Sequence, residues 1–356
     1  MNPRLAAAVG AAVLLATTLV TGVPGVPGAA GAAGAAGRYA PLDRPGPRLQ
    51  VPAATLAAAL HCSGSLADGR GEPVLLNPAT GVTPAQNYSW NYERAFDAQH
   101  RAWCAITMPH HTLGDIQTAA EYLVHGIRYL HRATGRRIAV LGHSQGGMSM
   151  RWALRFWPDT RGMVDDVIGM AGTNHGTTIL GFCKRDVLAC PPADWQQGAG
   201  SNFIRALNSG TETFAGVSYT EIFTHTDEVV QPNSRTSSTS SLYTGAGRIT
   251  NVATQSVCRS DVYEHLAIGT VDPVAYALVM DALRHDGPAA PSRIDRSVCS
   301  QLYQPGIDPA NVQTYLQVLA AAPGLLSVST PDFNLVGAPE VLREPRLRCY
   351  VFAVGC

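Results

Sequence analysis

Gly142-His143-Ser144-Gln145-Gly146-Gly147 constrains this chain more than any other stretch of it. The apolar run Ile138-Ala139-Val140-Leu141 leads in, and Met148-Ser149-Met150-Arg151-Trp152-Ala153-Leu154 leads out with the spacing of an amphipathic helix. The pattern reads as strand, sharp turn and helix. Glycines two positions either side of Ser144 suit such a turn, because side chains there would collide with the neighbouring strand and helix. The serine backbone is then strained, and its hydroxyl stands clear of the sheet.

The rest of the chain repeats the alternation. Short apolar runs at residues 73–76, 102–107, 138–141, 167–170, 219–224 and 251–257 suit strands buried on both faces. The clearest helix runs from Asp115 to Thr134, with Ile116, Ala120, Leu123, Ile127 and Leu130 on one face and Gly135 as its stop. Strands alternating with helices imply an α/β protein, with a mostly parallel central sheet and helices on both faces. In that setting the turn at Ser144 is the nucleophile elbow of an α/β-hydrolase fold. Two segments break the rhythm. Residues 176–209 carry Cys183, Cys190 and Pro191-Pro192 and read as an irregular, lid-like excursion over the sheet. Beyond Asp308-Pro309, residues 310–322 form a helical stripe through Val312, Tyr315, Leu316, Val318 and Leu319, readable as a core helix or as a substrate-facing one.

The first residues read as address rather than fold. Arg4 precedes an apolar run over residues 5–23, and Pro/Gly and Ala/Gly repeats follow to Gly37. This is a secretory signal with a low-complexity spacer over residues 1–37, although the run is also long enough for an uncleaved anchor. Residues 38–356 are then expected to form one domain. Formal net charge is zero, so the long-range field that recruits nucleic acid or anionic lipid is missing. Eight cysteines in an exported chain favour disulfides over metal ligation. Proximity suggests Cys62 with Cys104, Cys183 with Cys190, Cys258 with Cys299 and Cys349 with Cys356, among many connectivities open to eight thiols.

A serine hydroxyl is a weak nucleophile at neutral pH and needs a base, which in turn needs a carboxylate to hold its tautomer. In this fold the chain order is serine, acid, histidine. Of the eleven histidines, His225, His265 and His285 satisfy it once His175 is set aside as too close to Ser144. His225 falls inside an expected strand and His285 at a helix tail, which leaves His265 in a loop. Asp227, just after the strand ending near Thr224, would emerge at the carboxyl edge of the sheet beside Ser144, where sites form in open α/β sheets. Glu228, Asp261 and Glu264 are its rivals. Two backbone donors must meet the developing oxyanion. Gln145 supplies one, and the loop Asn77-Pro78-Ala79-Thr80-Gly81-Val82-Thr83 supplies the other, with the Thr80 hydroxyl as an addition.

Several of these stretches carry a likeness. Pro78-Ala79-Thr80-Gly81, Ser144-Gln145-Gly146-Gly147, Trp195-Gln196-Gln197, Thr226-Asp227-Glu228-Val229-Val230-Gln231-Pro232 and the loop around His265 resemble the family of Candida antarctica lipase B and its bacterial relatives, from about Leu60 to the C-terminus. The resemblance implies Ser144, Asp227 and His265 as the triad, Thr80 and Gln145 as the oxyanion hole, and the pairs Cys62–Cys104 and Cys258–Cys299. It implies a substrate-facing role for the stripe at Val312, Leu316 and Leu319. Two departures bear on substrate binding. Gly142-His143 replaces a bulky Thr-Trp wall on the alcohol side, and Asn174 stands where the family has an acid near the acyl pocket. Cys183 and Cys190 have no family counterpart and would staple the excursion.

The chain is therefore expected to be a secreted, monomeric serine lipase acting on acylglycerols, with no metal or organic cofactor and no nucleic-acid or stable protein partner. A carboxylesterase or acyltransferase for short or soluble acyl groups is the alternative reading, and a non-catalytic binding protein that kept the hydrolase shell is the remaining one.

Overall fold

The computed structural model of the protein describes residues 38–310, 312–313 and 338–356. The expected signal and spacer, and most of the expected helix at 308–322 with Leu316 and Leu319, lie outside the described residues. Among these residues, no helix is long and apolar enough to cross a membrane.

Seven strands form one sheet in the order β1-β3-β2-β4-β5-β6-β7. They are β1 (Leu60–Cys62), β2 (Val74–Asn77), β3 (Trp103–Ile106), β4 (Ile138–His143), β5 (Val164–Met170), β6 (Ser218–Phe223) and β7 (Arg248–Ala253). Only β1 runs antiparallel, at the edge beside β3; every other neighbouring pair is parallel. The three longest helices described are α1 (Ile116–Thr134), α2 (Gln145–Phe156) and α3 (Pro273–Ala282).

Alternate residues of each central strand feed different cores. Leu75, Val140 and Val167 point to the face covered by α1 and α2, whereas Val74, Leu76, Ala139, Leu141 and Ile168 point to the face covered by α3 and the helix Tyr92–Ala98. Both faces are buried, which is why these strands read as continuous apolar runs rather than alternating ones. Helix α1 starts where Asp115 accepts from the Gln117 N–H and stops where Gly135 turns left-handed at φ 65°.

The sequence reading differs from the structure at three elements. Strand β1 has three residues and no apolar alternation to announce it. The run expected at 251–257 slides toward the N-terminus, because the strand is Arg248–Ala253 and Thr254–Val257 is already a helical turn. Within residues 176–209, the short helices Pro192–Gln197 and Asn202–Leu207 interrupt the irregular backbone. All four disulfides join the cysteines paired by proximity.

Candidate active site

Strand β4 ends at His143 and α2 begins at Gln145, so Ser144 is the single residue of the turn, at φ 57° and ψ −123°. A non-glycine residue rarely holds a positive φ, and this one is held by close packing. A Cβ on Gly142 would lie 2.3 Å from the Gly146 carbonyl group, and one on Gly146 would lie 2.2 Å from the Asn77 carbonyl oxygen. The Asn77 side-chain amide fastens α2 to β2 by donating to Gly146 O at 2.8 Å.

Asp227 follows β6 in a turn that turns two amide groups onto its carboxylate, Val229 N–H at 3.0 Å and Val230 N–H at 2.7 Å. The carboxylate meets His265 Nδ1 at 3.1 Å, and His265 Nε2 meets Ser144 Oγ at 2.9 Å. All three side chains are buried. Burial alone would raise the Asp227 pKa, but the His265 charge and the bonds from His265, Val230 and Val229 outweigh it and lower the value. Burial opposes protonation of His265 too, yet Asp227, Glu228 and Glu264 around it raise its pKa.

His265 is not in a loop. It opens a short helix, His265–Ile268, capped by Glu264, whose carboxylate accepts from Leu266 and Ala267 N–H. The rival acids are occupied elsewhere: Glu228 accepts from the His265 main-chain N–H at 3.3 Å, and Asp261 accepts from Tyr263 N–H. His225 lies beyond the end of β6, which stops at Phe223.

Gln145, as the first residue of α2, has one of the N–H groups that no helical carbonyl satisfies. Its side chain is locked in a polar triangle: Thr80 Oγ1 donates to Gln145 Oε1 at 2.9 Å, and Gln197 Nε2 reaches both Gln145 Oε1 at 3.1 Å and Thr80 Oγ1 at 3.0 Å. Asn87 Oδ1 accepts from Ala79 N–H at 2.9 Å, and Thr112 Oγ1 donates to Ala79 O at 2.6 Å, which braces the Thr80 loop from two sides. Sequence reasoning assigned no role to Gln197, Asn87 or Thr112. Gln197 is far from Thr80 along the chain, at the end of the short helix Pro192–Gln197 within a stretch whose sequence reads as irregular, and no local pattern marks it; only the likeness at Trp195-Gln196-Gln197 touched it.

The pocket over Ser144 is walled by Ala79, Val82, Ile179, Leu180, Phe182, Val229 and Leu266, with Thr80, Thr173, Asp194, Gln197 and His143 among its polar lining. His143 does border it, but both ring nitrogens face protein. Nε2 donates to the His265 carbonyl oxygen at 2.8 Å, and Nδ1 faces the Asn87 amide at 3.4 Å. Burial first, then the neighbouring His265, pushes its pKa down to about 3, so it is a neutral strut. Asn174 is not part of the lining. It lies wholly buried behind it, donating to Ser240 O at 2.7 Å and accepting from Arg151 at 3.1 Å. An amide with its polar atoms satisfied by this cluster has none to offer a substrate. Val312 packs in a small apolar cluster with Ala79, Val82, Trp90, Ala267 and Val271 and is not among the residues lining the pocket over Ser144.

A mostly parallel sheet carrying a serine on a strand-to-helix elbow, with aspartate and histidine following in that order, defines the class: this is an α/β-hydrolase. Known proteins narrow it further. Residues 116–268 match the family Lipase (class 2). Lipase B of Pseudozyma (Candida) antarctica is 32% identical over 314 residues, covering 87% of this chain and 88% of its own. The crystal structure of Aspergillus fumigatus lipase B superposes with a TM-score of 0.76 at 31% identity, over 86% of this chain and 74% of that one. The chain belongs to the lipase B family of carboxylic ester hydrolases.

Proposed function

We propose that the protein is an exported serine lipase that hydrolyses acylglycerol esters through an acyl-enzyme on Ser144. The observation that carries the reading is the chain of contacts from Asp227 to His265 Nδ1 at 3.1 Å and from His265 Nε2 to Ser144 Oγ at 2.9 Å. Ser144 Oγ attacks the ester carbonyl while His265 Nε2 takes its proton. Negative charge develops on the carbonyl oxygen, met by the Gln145 N–H and the Thr80 N–H, and by the Thr80 hydroxyl once it turns from Gln145 Oε1 toward the substrate. Collapse expels the alkoxide, which leaves with the proton from His265. Water, deprotonated by the same imidazole, then attacks the acyl carbonyl; Ser144 is restored and the carboxylic acid departs. Asp227 holds the ring in the tautomer that presents Nε2 as acceptor. Ile179, Leu180 and Phe182 give the pocket mouth the apolar walls that a fatty chain needs. The apolar run at residues 5–23 and the four disulfides support export.

Ser144→Ala is expected to reduce hydrolysis of a p-nitrophenyl ester by about 10⁴- to 10⁶-fold with the far-UV circular dichroism unchanged. The wild-type chain is expected to be labelled by a fluorophosphonate and to cleave emulsified long-chain triacylglycerol. Near-normal turnover by the alanine variant would refute the nucleophile. Activity confined to dissolved short esters would make the protein an esterase instead.

A further inference from the structure

Every other polar side chain lining the pocket over Ser144 is bonded within the protein. Thr80 and Gln197 close the triangle with Gln145; Thr173 donates to Gln197 Oε1 at 3.1 Å; Thr177 donates to Val229 O at 2.6 Å; Asn87 holds the Ala79 N–H. Asp194 is the exception. Its carboxyl lines the same pocket and is only 6% exposed, and among the described residues no hydrogen-bond donor or cation pairs with it. Burial alone pushes its pKa up to about 7, with no neighbouring charge or hydrogen bond contributing.

An unpartnered carboxyl in an apolar pocket costs stability, and groups of this kind persist where a ligand completes them. Asp194 does not serve the chemistry, since the acid, the base and the oxyanion donors are already in place. Its position indicates which part of a substrate it would meet. It lies one turn from Gln197 on the helix Pro192–Gln197, and Gln197 bonds the Thr80 and Gln145 side chains at the oxyanion end of the site. The leaving alcohol must lie against His265 Nε2, which bonds Ser144 Oγ at 2.9 Å, and the acyl portion is then assigned to the part of the pocket lined by the helix. Thr177, Leu180 and Asp194 also face an adjoining cleft containing Arg185 and Glu344, which gives a chain room to continue past the carboxyl.

We propose that Asp194 is a specificity determinant that selects esters of hydroxylated acids, accepting a hydrogen bond from a hydroxyl carried on the acyl chain. A pocket built to bond a hydroxyl discriminates against the analogue lacking it, because binding that analogue leaves a buried polar group unpaired. An aliphatic residue at the same place would favour the plain chain.

The proposal rests on Ser144 as nucleophile, and its test separates the two. The probes are p-nitrophenyl alkanoates of one chain length, unsubstituted or bearing a hydroxyl at successive carbons. For wild type, kcat/KM is expected to favour at least one hydroxylated isomer, and in Asp194→Leu that preference should fall by about 10- to 100-fold as the unsubstituted ester gains. Asp194→Asn, which keeps the shape and an acceptor oxygen, should fall between. A purely structural role would lower the rate on every ester together and leave the ratio untouched. That result, or an unchanged ratio in a stably folded Asp194→Leu, would overturn the proposal. If Ser144→Ala still turned these esters over, the nucleophile assignment would fail first, independently of the ratio.

Discussion

His265 is fixed at both ends of its chemistry, ring and backbone. Asp227 grips Nδ1, Glu228 accepts from the main-chain N–H, and His143 donates to the carbonyl oxygen. A neutral His143 suits this post, because a second cation beside His265 would depress the pKa that Asp227 raises. In the proposed mechanism the base works only when unprotonated, so activity should be lost as pH falls through the His265 pKa, which lies above the ordinary imidazole value. Replacing Asp227 by Asn removes the attraction that raises that pKa. The acid limb of the kcat/KM profile should therefore move to lower pH, while kcat itself drops by about 10⁴-fold because the ring can settle in the wrong tautomer. A pH–rate titration of wild type and variant checks both parts. An acid limb that stays in place would mean another group sets it.

Among the elements, the disulfides divide into two kinds. Cys62 and Cys104 are register partners across the antiparallel pair β1 and β3, so their bond fastens the shortest strand of the sheet to its neighbour and closes a loop with a sequence separation of 42. Cys183 and Cys190 are separated by 7 and restrain only the excursion beside the pocket. The chain-entropy argument then expects a loss of about 4 kcal/mol when both Cys62 and Cys104 become Ala, and of about 2 kcal/mol for the Cys183 and Cys190 pair. Guanidinium unfolding of each double variant measures the difference, and equal losses would show that native-state packing rather than loop length sets the contribution. Element legibility follows the same division between interior and edge. Strands β2 to β6 announced themselves because both faces bury apolar side chains, and α1 announced itself by its stripe, its Asp115 cap and its Gly135 stop. Edge strand β1 did not, since it carries three residues, and β7 did so only with displaced bounds, since it is largely solvated on its outer side. The same holds in the site. Ser144, Asp227 and His265 were legible because strand ends and chain order place them, whereas Gln197, Asn87 and Asp194 reach the pocket through tertiary packing that leaves no local pattern.

A formal net charge of zero does not keep like charges apart everywhere in the molecule. At the pole of the sheet away from Ser144, where β4 and β5 begin, Glu72, Asp165 and Asp166 bring one carboxylate oxygen each within 4.8 Å of the others. Arg137 pairs with Asp165 at 2.9 Å, but one oxygen of Asp166 and one of Glu72 have no hydrogen-bond partner among the described residues. Burial, then Asp165, raises the Asp166 pKa to about 7 against the weaker pull of the Glu72 contact, Arg248 and Arg137. Burial also holds Glu72 well above its ordinary value, with Asp166 and Asp165 adding to it and Arg101 opposing. Such acids keep a proton in the folded state that the unfolded chain releases near pH 4, at about the ordinary carboxylate value. Their stabilising effect is complete below that pH and is lost as pH rises through the folded value near 7. Folding stability should accordingly decline between about pH 4 and pH 7, by on the order of 1–3 kcal/mol from this cluster. Combining Glu72→Gln with Asp166→Asn removes the titrating protons while keeping the side-chain shapes, so the decline should flatten in the double variant. Urea midpoints measured across that range decide it, and parallel curves for the two proteins would place the cause of any alkaline loss elsewhere, with the buried Glu221, whose pKa burial raises to about 8, the next group to replace.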